Sequence, residues 1–382
     1  MKTFILPILL SCCAAPAVAQ SSLQIPSGVR LPKEQQLTGK LDAFLLAADK
    51  DNEANPWVLP AERATTFVQL DELKEIRYNP ARNDSNFYKP CLMNIVPMKG
   101  RRYWIQVAYI GYANDSVQLR ASFDFIAHAS GDSFLFSSPL SYLSRNWKTK
   151  RVGNTTFRYP AGLNSKSLEA YRRYTDLYDA KLHTADKQQT IYCCAGTIEL
   201  QRLAGVTYKS DYNGRSSGAW ATMDGNSKLI LQANDSYAYF DPHDHWHERL
   251  SMAVARSKTN RPVDEGCAYL YGGSWGMGWP AIYKAFKEQV AAHPETDWAA
   301  LKEQPVFFKT GDYSNSADYI VNALWVKKIE REKGFAGVWT LLNCGPYSKG
   351  NEQYYKTLEA LTGTTRAGYN DAVWELIRRE QD

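Results

Sequence analysis

The chain has 382 residues, 13% of them aromatic (24 Tyr, 14 Phe, 11 Trp), and a formal charge of +5 spread along its length. That length exceeds one average domain, so two domains are expected. The basic residues form no stripe and no recognisable module, which argues against a nucleic-acid partner, and beyond the N-terminus no stretch approaches the roughly 20 apolar residues of a membrane span.

Residues 1–19 carry Lys2, an apolar run from Phe4 to Leu10 and the small residues Ala17, Val18 and Ala19, which is the pattern of a secretory signal peptide. The mature protein is therefore expected to be secreted, periplasmic or at the cell surface. Leu9-Leu10-Ser11-Cys12 also has the look of a lipoprotein cleavage site, but the apolar stretch before it is short and Ala-Val-Ala fits better. Removing the leader leaves Cys91, Cys193, Cys194, Cys267 and Cys344. An odd number forbids full intramolecular pairing, and thiols this sparse read as buried small apolar side chains. Residues 20–35 are polar, hold two prolines and read as a flexible lead-in.

A short amphipathic helix follows at Leu41–Ala48, with another helical turn at Leu70–Ile76. From Cys91 the period changes to two. The runs Cys91–Val96, Tyr103–Tyr109, Val117–Phe125 and Ser133–Phe136 alternate apolar with polar or small residues, and hairpin-like connections at 98–101, 113–116 and 130–132 make them an antiparallel meander. Trp104, Tyr109 and Phe125 read as core. Leading helices before a curved antiparallel sheet loosely resemble the nuclear transport factor 2-like fold, which implies a non-catalytic accessory domain over residues 36–163.

The break at Pro160–Asn164 marks the expected boundary, with a second domain over 164–382. Its first helix, Ser165–His183, repeats Leu168, Tyr171, Tyr174, Leu177 and Leu182 at helical spacing. A strand at Ile191–Ala195 places Cys193 and Cys194 on opposite faces, which makes a metal site from that pair improbable. A helix at Thr197–Leu203 ends at Gly205, and a hairpin pairs Gly218–Met223 with Leu229–Gln232. The fold class is α+β, an antiparallel-sheet domain followed by a mostly helical one with a small sheet.

Three of the six histidines fall within five residues, at 243, 245 and 247. Asp241 suits an N-cap and Pro242 the first helical position. A helix running on from there puts His243 and His247 one turn apart on one face, the geometry in which two imidazoles share a cation, with Asp244 beside the first. After a loop ending at Arg261-Pro262, Val263–Tyr269 reads as a second helix that offers Glu265 as third ligand.

His-Asp-x-x-His followed by Asp-Glu-Gly-x-Ala resembles the gluzincin zinc peptidases, especially the peptidase MA-like families. The resemblance implies that His243, His247 and Glu265 bind Zn2+, that Asp244 stands where the catalytic glutamate would, and that the substrate is a peptide or protein cleaved by a metal-activated water. Asp244 departs from the family's glutamate by one methylene, which bears on catalysis rather than on fold. A second register, His247-Glu248-x-x-Ser251, keeps a glutamate but loses a nitrogen ligand, and His245 and Glu248 remain auxiliaries.

Downstream, the glycine-rich Tyr271–Pro280 lacks the lysine of a nucleotide loop and reads as close backbone packing, with Trp275 bordering the cleft. Helices follow at Ile282–Ala292, Ser316–Arg331, Gly334–Leu342, Tyr354–Leu361 and Asn370–Arg379, and this tail again resembles peptidase MA-like domains, so the resemblance spans roughly residues 165–380. Tyr313 is the candidate donor to a developing oxyanion. The competing class is a non-catalytic metal-binding or substrate-binding module that keeps the metallopeptidase fold, a reading that the shorter acid at 244 favours.

Overall fold

The structure, a computed structural model, describes residues 22–31, 36–215 and 218–380. The expected leader, residues 1–19, lies outside them. In chain order come α1 (Gln36–Ala47), α2 (Arg63–Leu73), β1 (Lys89–Met98), β2 (Arg102–Ala113), β3 (Ser116–Ser130), β4 (Ser133–Ser137), α3 (Leu140–Leu143), β5 (Lys148–Val152), β6 (Thr155–Tyr159), α4 (Ser165–Leu182), β7 (Gln188–Cys194) and α5 (Thr197–Leu203). Then follow β8 (Val206–Lys209), β9 (Ala219–Asp224), β10 (Ser227–Ala233), α6 (Pro242–Ala253), α7 (Arg261–Gly272), α8 (Trp279–Gln289), α9 (Trp298–Leu301), β11 (Phe307–Thr310), β12 (Tyr313–Ser316), α10 (Ala317–Leu342), α11 (Glu352–Thr362) and α12 (Tyr369–Arg379). The class is α+β. None of the described helices is long and apolar enough to cross a membrane.

The chain divides into two compact units, residues 1–142 with 201–214, and residues 143–200 with 215–382. In the first, the sheet order is β1-β2-β3-β4, all antiparallel. The turn chemistry explains the meander: Asn114 and Asp115 both take positive φ, 52° and 56°, and close a two-residue hairpin between Ala113 and Ser116. Alternate residues of β3, including Phe123 and Phe125, are fully buried, and Phe44 of α1 stacks on Phe136 at 4.9 Å. Tyr109 and Phe125 are core as expected, while Trp104 is half-buried. The lead-in is better tied than its composition suggests, since Gln24 bridges to Cys91 and the Leu23 amide donates to Asp42.

β8 returns to this unit from far along the chain and pairs with Ala121–Phe123. Gly205 makes the approach feasible. Its φ is +75°, and a Cβ there would lie 2.5 Å from the Asp124 carbonyl oxygen.

The second unit holds a mixed sheet of order β5-β6-β7-β10-β9, with β6, β7 and β10 parallel. The expected boundary at 163/164 falls inside it, because the β5–β6 hairpin belongs to this sheet. That hairpin escaped sequence reading since β5, Lys-Thr-Lys-Arg-Val, is exposed almost throughout and carries no alternating apolar signal. The main core gathers around Trp246, Trp298 and Trp325, with α10 at its centre. The two tail helices expected at Ser316–Arg331 and Gly334–Leu342 run into one another as α10, kinked at Gly334, whose φ is +68°. All five cysteines among the described residues are free thiols, and burial pushes Cys193 up to about 12.

Candidate metal centre

α6 begins where its sequence says it should. The Asp241 side chain accepts from the His243 amide at 2.9 Å, and Pro242 fills the first turn without wasting a donor. α7 begins two residues earlier than expected: Arg261 and Pro262 are its first turn rather than the end of a loop. The helices are held close by glycines. A Cβ on Gly272 would sit 2.7 Å from the His243 nitrogen, and one on Gly266 would sit 2.8 Å from backbone atoms of Asn322 and Ala323 in α10.

This packing brings His243, His247 and Glu265 together. Their ring Nε2 atoms are 3.2 Å apart, and Glu265 Oε2 lies 3.4 Å from His243 Nε2 and 3.7 Å from His247 Nε2. Ligands about 2.05 Å from a tetrahedral zinc are separated by about 3.3 Å, so the three atoms already lie at the edges of such a site.

The far side of each ring is built as well. His243 Nδ1 donates to the Gly273 carbonyl at 2.8 Å, and His247 Nδ1 donates to Asp264 Oδ1 at 2.9 Å. Asp264, 7% exposed, is itself fixed by the Trp246 indole N–H at 2.9 Å. With both Nδ1 positions spent on acceptors, the two Nε2 atoms and a carboxylate oxygen are directed at one point, where a cation would be shared by all three. In the metal-free chain a proton on His247 supplies that positive charge. Burial opposes charge on His247, but Asp264 and Glu265 outweigh it and push its pKa up to about 10. Burial would likewise raise Glu265, yet the two imidazoles hold it well below the usual carboxylate range.

A cavity of about 420 Å³ opens on this cluster, lined among others by Lys228, Asp244, His247, Glu248 and Glu265. Asp244 is exposed at its mouth, and its carboxyl is raised above the ordinary range by desolvation and then by Asp241. Among the described residues it accepts no hydrogen bond, which leaves its oxygens free for a ligand. Glu248 also lines the cavity but is engaged by His245 Nδ1 at 3.3 Å. His245 lies on the opposite face of α6, 1% exposed, with Nε2 against Thr175 Oγ1 at 2.8 Å. It packs the helix and does not join the cluster.

Tyr313 lies on the β11–β12 hairpin, is 45% exposed and stacks on Trp275. Two other tyrosines reach the cluster: the Tyr269 ring meets His243 edge-on at 5.2 Å, and half-buried Tyr319 feels the charge of Glu265. Asp264 was legible as the acid preceding Glu265, but nothing in the sequence marked it as the partner of His247. Comparison with protein-family models and with curated proteins returns no match.

Proposed function

We propose that the chain is an exported zinc-dependent peptidase, with His243, His247 and Glu265 as metal ligands and Asp244 as general base. The observation that carries this reading is the convergence of two Nε2 atoms and one carboxylate oxygen, with each imidazole oriented from behind by Gly273 or Asp264. Zinc bound there supplies a Lewis acid that polarises a carbonyl and lowers the pKa of water. The chain's own residues do the rest. Asp244, at the cavity mouth and free of competing hydrogen bonds, takes a proton from water and can pass it to the leaving amine. Tyr319, within electrostatic reach of Glu265, is a candidate beside Tyr313 to donate to a developing oxyanion. Asp264 keeps His247 in the tautomer that leaves Nε2 free.

The helix-then-meander order of the N-terminal unit supports an accessory domain of nuclear transport factor 2-like type, and the pattern of residues 1–19 supports export. The second reading, a metal-binding module without turnover, is favoured by the single methylene missing at Asp244. Elemental analysis and a broad peptide library separate the two. A peptidase carries about one zinc per chain, lost in His247→Ala, and cleaves library members in a zinc-dependent way. Zinc without cleavage leaves the binding module, and no zinc at micromolar free metal removes both.

A further inference from the structure

The loop after α7 does something its sequence would not choose on grounds of stability. Ser274 and Met277 exchange both backbone hydrogen bonds, each 2.9 Å, across a two-residue turn whose central residues, Trp275 and Gly276, have φ of +53° and +75°. Such a turn calls for Asn or Gly at its first central position. A tryptophan there strains the backbone, and strain of this kind persists where the side chain it presents is used.

The ring is not spent on packing. Trp275 is 51% exposed and lies flat against Tyr313, itself 45% exposed, with centroids 4.8 Å apart and planes 5° from parallel. Tyr239, 58% exposed, stands within electrostatic reach of both Tyr313 and Asp244, and its hydroxyl donates to Asp241, the cap of the histidine helix, at 3.2 Å. The strained turn is also tied to the ligands directly, since Gly273, two residues before Trp275, accepts from His243 Nδ1. These exposed aromatic faces are thus anchored to the elements that build the cluster.

We propose that Trp275 and Tyr313 form the specificity wall of this site and take an aromatic side chain of the peptide close to the bond that is cut. This rests on the peptidase reading. A side chain of the peptide suits the wall better than a remote docking element, because Trp275 follows by only two residues the carbonyl that holds His243. An aromatic residue gains ring stacking on top of the area it buries.

The test uses the full-length zinc-loaded chain with Asp244→Asn, so that peptides are not consumed, and calorimetric titration with hexapeptides in which a single Phe is walked through an Ala-Gly background. One Phe position should bind at least about tenfold tighter than its Ala counterpart. Adding Trp275→Gly removes the ring and relieves the turn at once, so a folding defect cannot mimic the result. In that variant the preference should shrink to less than about twofold while zinc content is unchanged. Equal binding of Phe and Ala peptides overturns the proposal, as does a preference that survives Trp275→Gly. Binding of a β-1,4-linked N-acetylglucosamine trimer at Trp275 with no Phe preference overturns it in favour of a glycan platform. Wild-type cleavage of the library without any Phe preference would sink this inference and leave the peptidase reading standing. A Trp275-dependent Phe preference in a chain that cleaves nothing would do the reverse.

Discussion

At the scale of single residues, the question is whether Asp244 reaches what a glutamate would. Its carboxylate is one bond shorter, but it sits unbonded at the mouth of the cavity beside both imidazoles. Asp244→Asn should retain zinc and lose nearly all cleavage, about 10²-fold or more, because an amide cannot accept the proton. Asp244→Glu should equal or exceed the parent rate. Both outcomes are read from steady-state rates on one library-derived peptide at matched zinc occupancy. Activity that survives Asp244→Asn would move the base to Glu248. Asp264 offers a test that needs no turnover. Asp264→Asn keeps a hydrogen bond to His247 Nδ1 but removes the charge behind the ring, so zinc affinity should fall about 10- to 100-fold in a chelator competition.

At the scale of elements, the site depends on how closely α7 can lie against α10. Glu265 is followed by Gly266, where a Cβ would meet Ala323 N and Asn322 C at 2.8 Å, both backbone and unable to swing aside. Gly266→Ala should therefore push the two helices apart, costing about 1–3 kcal/mol of stability and weakening zinc binding together. Thermal unfolding of the metal-free chain isolates the first effect, and chelator competition the second. A variant as stable as the parent would show that α7 can shift without loss. The same geometry gives the Glu-Gly pair a packing reason: Glu265 meets the two imidazoles only if its helix lies close, and glycine permits that.

At the scale of the whole molecule, the two units can report separately because their titrating groups differ. His128 in β3 is held neutral by burial and then by Arg102, with its pKa lowered to about 4, and its Nε2 lies 2.9 Å from Ser137 Oγ. Above the ordinary histidine value of about 6.5, neither the folded nor the unfolded ring is charged, so stability is unaffected. Below it, the unfolded chain takes a proton that the folded one refuses. Stability of the first unit should thus fall as pH drops from about 6.5 to about 4, by on the order of 1 kcal/mol once the half-exposed ring's residual hydration is allowed for. His128→Gln should flatten that slope in denaturant titrations, and an unchanged slope would assign the acid sensitivity elsewhere.

What the sequence alone determined was local. The N-cap at Asp241, the i,i+4 spacing of His243 and His247, the Glu-Gly pair at 265–266 and the alternation of the meander all lie within a few residues of the features they specify, so propensity and periodicity suffice to read them. What only the tertiary structure decided came from distant pairings. Gly273 and Asp264 stand 30 and 17 residues from the histidines they orient, and nothing in their own neighbourhoods marks that role. Residues 201–214 leave one unit to complete the sheet of the other. The exposed β5 and the short β11–β12 hairpin have too few apolar positions to announce themselves as strands. Tyr313 could be named from sequence as a polar aromatic before the Ser316 helix, but that it stacks on Trp275 follows from hairpin register and a strained turn, which are fixed by packing and not by local pattern.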